Sequence, residues 1–163
     1  MINHLNNTTI DDIESFKLGS EFFIALDSDG TIFNSMKIKH DLCYFKPLVE
    51  VFELGEIHEE VYKIWSHINL YSSSRGINRF KALIKAFDYI SIMTKSIKMK
   101  IALPDLKNIK NWLNSNRVFC EKSLVRFLSD LSSENDKRDE KKILRWSKEV
   151  DRLVDSLSFK FEI

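Results

Sequence analysis

Little in this chain punctuates the backbone: 163 residues hold only four Gly and two Pro. Glycine supplies the tight turns and repeated strand-to-helix junctions of sheet proteins, so its scarcity points to long helices. Cysteine is as sparse. Cys43 and Cys120 lie far apart with no second Cys or His at ligand spacing, which argues against a zinc site and a disulfide framework. Reduced, mostly buried thiols are expected. An excess of one charge is also missing, since 25 Lys and Arg stand against 24 Asp and Glu for a net +1. No general field draws the chain to nucleic acid or to an anionic membrane, and neither is expected as a partner. No stretch approaches the ~20 apolar residues of a membrane span. The polar start, Met1 to Asp12, lacks a basic segment followed by an apolar one, so a cytoplasmic location is the expectation.

What is present suits a folded domain, with 44% hydrophobic and 30% charged residues. Phe22, Phe23, Ile24, Ala25 and Leu26 form a continuous apolar run that stops at Asp27-Ser28-Asp29-Gly30. This pattern predicts a fully buried strand, about 22–27, ending in a polar turn. A short capped helix is expected before it, over Thr9 to Lys17. Downstream the apolar period changes to that of helices. Ile57, Val61, Ile64, Trp65 and Ile68 share one face, as do Phe80, Leu83, Ile84 and Phe87. Pro104-Asp105 begins a helix through Trp112 and Leu113, and Lys122 to Leu131 supplies another. The charged segment Ser133 to Lys142 leads into Ile143, Trp146, Val150, Leu153, Val154 and Leu157, the longest expected helix. Its interleaved signs read as a solvated face. Trp65, Trp112 and Trp146 all fall on apolar stripes and are expected in the core. Phe159, Phe161 and Ile163 alternate with polar residues, a weak signal for a short C-terminal strand.

The sharpest chemical signal is a pair of carboxylates two residues apart where the apolar run ends. The stretch Phe-Phe-Ile-Ala-Leu-Asp27-Ser-Asp29-Gly30-Thr31-Ile-Phe-Asn34-Ser35 resembles the first motif of the haloacid-dehalogenase-like hydrolase superfamily. The frequent Asp-Ser ending of that motif is here Asn34-Ser35. The resemblance implies an α/β fold with a Rossmann-type core, in a chain otherwise dominated by helices. It implies Asp27 as the nucleophile that forms an acyl phosphate and Asp29 as the acid and base. Mg2+ shared by Asp27 and Asp29 is implied as cofactor, since a hard cation offsets their mutual repulsion. The substrate implied is a phosphorylated small molecule, with Thr31 assigned to its binding. Two other readings compete for the same turn. A plain chain reversal leaves the apolar run unexplained, and a calcium loop fails because Ile32 and Ile38 stand where Gly and Glu are required.

The helices after the motif fit the superfamily's helical cap. The resulting division is 1–35 as the first core element, 36–157 as cap, and 158–163 as a return strand toward a remainder of the core that the chain lacks. Within the cap, Asn69 to Phe80 combines a helix break, Gly76 and two guanidinium groups. Arg75, Asn78 and Arg79 are therefore candidate substrate contacts, because arginine forks match phosphate oxygens; a polar inter-helix turn with surface arginines accounts for the same residues. His4, His40, His58 and His67 are scattered and suggest no hydrolase triad.

The later motifs are a second strand ending in Ser or Thr, a Lys that steadies the phosphate, and an acidic pair. None is recognisable, and Ile90-Ser91-Ile92-Met93-Thr94 is the nearest candidate for the second strand. Five strand-helix units need roughly 150 residues before any cap is added. A truncated or split Mg-dependent phosphatase with little activity alone is the expectation, with a second chain completing the core as a candidate partner. The alternative is a non-catalytic helical interaction module.

Overall fold

From Ser35 the chain meets no Gly or Pro until Pro47, and nothing interrupts helix growth. The computed structural model describes residues 35–115, 118–131 and 134–158. Helix α1 (Ser35–Ile38) widens into a π-helical stretch (Lys39–Phe45), which continues as α2 (Lys46–Phe52). Pro47 sits in the first turn of α2. A proline there lacks the backbone N–H and crowds the carbonyl four residues back. The widened turn ahead of it gives the ring room. The Lys46 amide accordingly reaches five residues back, to the Asp41 carbonyl.

Helix α2 ends at Glu53 in the left-handed conformation, φ 57°, a position that glycine usually fills. A 3-10 turn (Gly55–Ile57) leads into α3 (His58–Ser66), with Glu59 and Glu60 in the first turn, where carboxylates complement the helix dipole. A second π-helical stretch (His67–Tyr71) follows α3 directly. Next come α4 (Arg79–Ser96), α5 (Lys107–Leu113), α6 (Glu121–Asp130) and α7 (Glu134–Ser158). Asp105 ties the start of α5 to α7. Its carboxylate accepts from the Lys107 amide at 2.9 Å, and its own amide donates to Asp139 at 2.7 Å.

Helix α7 packs against α2, the first π-helical stretch, α5 and α6, while α3 packs on α4. The expected stripes meet in one core. Trp65, Trp112 and Trp146 are all buried, with Phe80, Phe87, Leu83, Ile68 and Val61 among them. The rings cross edge to face: Trp65 and Trp146 at 6.1 Å, Phe80 and Trp112 at 5.1 Å, Phe52 and Phe87 at 4.8 Å. Such pairs add about 0.5–1.5 kcal/mol each beyond the area they bury.

The α/β class implied by the resemblance is corrected by this architecture. Among the described residues every regular element is a helix, and none is a strand. The nearest candidate for a second strand, Ile90 to Thr94, lies inside α4. There Ile90 is buried and Ile92 is 63% exposed, the outcome of a residue every 100° around a helix. Apolar residues between 35 and 158 recur at helical spacing, so no sheet forms among the described residues of that span. The expected strands at about 22–27 and 159–163, and the first helix at Thr9 to Lys17, lie outside the described residues.

Candidate functional site

Asp27, Asp29 and Thr31 lie outside the described residues, as does the Mg2+ site expected between the two acids. Among the described residues no group of three or more His, Cys, Asp or Glu side chains is placed to hold a metal ion.

The second sequence candidate, the segment after the second π-helical stretch, is a built turn. Ser72 and Ser74 hydroxyls lie 2.6 Å apart, and both donate to the Ile68 carbonyl, at 3.0 and 3.1 Å. They satisfy a carbonyl that the helix end leaves open. Gly76 takes φ 81°, where a side chain would be strained. Asn78 caps α4: its side-chain oxygen accepts from the Phe80 amide at 3.0 Å, and its NH2 donates to the Phe119 carbonyl at 3.2 Å. Arg79 is engaged as well. Its guanidinium grips Asp151 of α7 with both terminal nitrogens, at 2.5 and 2.9 Å. Arg75 is exposed, and its amide donates to the Ser72 carbonyl at 3.1 Å. The three cap candidates thus divide, with Asn78 and Arg79 joined to the body of the fold and Arg75 facing solvent.

Arg79 also belongs to a cluster that sequence spacing gave no reason to assemble. The first π-helical stretch carries His40 and Tyr44 on one side, toward Trp65 and Trp146. His40 lies 5.0 Å from the Tyr44 ring and 6.2 Å from Trp65, and Tyr44 lies 6.4 Å from both Trp65 and Trp146. Trp146 donates its indole N–H to the Tyr44 carbonyl at 3.1 Å. Arg79 and Asp151 both act electrostatically on Tyr44. Burial raises the Tyr44 phenol above its ordinary value, with the Arg79 charge opposing that rise. Burial lowers the His40 imidazole, and nearby Asp41 only partly offsets it. For Arg79 burial is the largest single influence and works against the charge, but the Asp151 hydrogen bonds together with the charges of Asp151, Tyr44 and Glu121 outweigh it, and its value is raised.

Two polar atoms of this cluster, His40 Nδ1 and Trp65 Nε1, are buried without a hydrogen-bond partner. An unmet buried polar group costs about 1–3 kcal/mol, and Asp41 Oδ1, Ser66 Oγ, Trp112 Nε1 and Ser147 Oγ are in the same condition among the described residues. A neutral His40 imidazole, beside the Tyr44 ring, can accept or donate a proton. In the sequence, the helix beginning at Ser35 follows the Asp27 motif. His40 gave no sequence signal, because the ring it meets outside its own stretch, Trp65, lies on α3, far along the chain. A scan against protein-family models finds none that matches the chain, and searches of the curated proteins and of the solved structures find no match.

Proposed function

We infer that the chain contributes the first catalytic motif and helical cap of a haloacid-dehalogenase-like hydrolase, a Mg-dependent phosphatase acting on a phosphorylated small molecule. The observation that carries this reading is the run Phe22 to Thr31, with Asp27 and Asp29 at its polar end, followed at Ser35 by a helical body with its own core. A cap placed directly after the first motif requires such a body there.

The chemistry assigned to the two acids balances in two steps. An Asp27 oxygen attacks phosphorus, the phosphorus–oxygen bond to the leaving group breaks, and Asp29 protonates that oxygen. Asp29 then takes a proton from water as the water attacks the acyl phosphate, which releases phosphate and restores Asp27. A bound Mg2+ offsets the negative charge gathered there.

Turnover by the chain alone is expected to fall well below the ordinary enzyme range of about 1–1000 s⁻¹. The test is release of phosphate from an aryl phosphate with Mg2+, for the unaltered chain and for Asp27→Asn. A slow release that Asp27→Asn and chelation both abolish is the expected result. Equal release by the two proteins removes Asp27 from the chemistry and leaves a non-catalytic helical interaction module as the better reading.

A further inference from the structure

Helix α7 carries a second feature, on the face away from Trp146. Lys141, Arg145, Lys148 and Arg152 recur at intervals of four, three and four residues, which places all four on one face of the helix. They line an open groove of about 530 Å³ between α7 and α2. Two apolar side chains, Val51 and Leu144, line the same groove, and Glu50 and Glu149 complete it. Arg145 and Lys148 are exposed. Arg152 is held by Glu149 through two hydrogen bonds, at 2.9 and 2.6 Å, which leaves Arg145 and Lys148 at the centre of the groove's positive charge.

The composition of this groove discriminates among anionic partners. Four cations against two carboxylates leave a local excess of two positive charges, in a chain whose net charge is only +1. A nucleic-acid backbone presents phosphates at regular intervals and would set one against Glu50 or Glu149. It would also make no use of Val51 and Leu144. An extended peptide presents side chains alternately, roughly 6.7 Å apart on each face. From Lys141 to Arg152 the helix rises roughly 16 Å, the span of about five extended residues. Carboxylates on one side of such a peptide reach the basic stripe, while apolar side chains between them cover Val51 and Leu144.

We propose that the groove between α2 and α7 is a docking surface for an extended acidic segment of a partner protein, in which Asp or Glu alternates with apolar residues. The experiment is fluorescence anisotropy of the full chain with a labelled peptide of alternating Glu and Leu. A Gln-Leu peptide and a labelled single-stranded oligonucleotide serve as comparisons. The Glu-Leu peptide is expected to bind roughly tenfold more tightly than the Gln-Leu peptide and to weaken as salt rises. Arg145→Glu with Lys148→Glu is expected to weaken it by at least about tenfold at unchanged helix content. Should that double reversal fail to fold, Arg145→Gln with Lys148→Gln makes the same measurement with a smaller expected loss. Equal binding of the two peptides, binding that neither double variant changes, or tighter binding of the oligonucleotide than of the Glu-Leu peptide overturns the proposal.

Discussion

Arg145 and Trp146 are neighbours in the chain, yet they belong to opposite faces of α7. On one face Ile143, Trp146 and Val150 are buried against the π-helical stretch, α2 and α5. On the other, Arg145 and Lys148 stand in an open groove. The contrast separates two kinds of contribution. Apolar burial is roughly proportional to area and is not screened by ions, whereas exposed ion pairs are screened and contribute little each. The buried face therefore decides whether the chain folds, and the basic face can be spent on recognition.

The largest test of this contrast is Trp146→Ala. It removes a fully buried indole, three aromatic contacts and the donor to the Tyr44 carbonyl. A loss of about 3–5 kcal/mol is expected from urea unfolding, a large share of a small domain's stability. A loss below about 1 kcal/mol, the scale of a surface ion pair, would mean that the buried face of α7 does not hold the fold.

Arg79→Lys probes the boundary between the two faces. The Arg79 side chain is 21% exposed and that of Asp151 48% exposed, so solvent screens the pair on the α7 side. A lysine keeps the charge but cannot grip both carboxylate oxygens. The expected cost is about 1 kcal/mol, and a double-mutant cycle with Asp151→Asn should recover most of it as coupling. Coupling near zero would assign Arg79 to packing on Phe80, whose ring lies 5.4 Å from its guanidinium.

The smallest expected effect is a change in slope. Burial holds His40 below its ordinary value of about 6.5, so the unfolded chain takes up this proton before the folded one does. The stability linked to His40 is thus full above pH ~6.5, falls as the pH drops below it, and levels off beneath the lowered folded value. His40→Phe keeps the ring among Tyr44 and Trp65 and removes the titration. Chemical denaturation across this range should show a flatter pH dependence for the variant. An unchanged slope would place the titration elsewhere and weaken the case for a neutral His40 in the cluster.

Much of the helical body was legible because helix formation is local and amphipathic stripes report burial directly. Ile57 through Ile68, Phe80 through Phe87 and Ile143, Trp146 and Val150 face the core as their spacing predicts, while Ile64 and the end of the last stripe, Leu153, Val154 and Leu157, are only partly buried. The start of α5 just past Asp105 and the span of α6 were readable from caps and breakers for the same reason. The π-helical stretches were not readable, since they differ from α-helix by a single hydrogen-bond step and carry no distinct residue pattern. The α/β class failed because it rested on a motif outside the described residues rather than on the span that forms helices.

Sequence alone determined that the span 36–157 would be mostly helical, which of its faces would be apolar, and that Asp27 and Asp29 lie two residues apart at the end of an apolar run. Only the tertiary structure decided what Arg79 holds, that His40 and Tyr44 meet Trp65 and Trp146, and that four cations of α7 open onto a groove beside α2. Periodicity is set by backbone geometry within a few residues of each position. Partnership between the first π-helical stretch, α4 and α7 depends on how whole helices pack, and packing is decided by the shape of the assembled core.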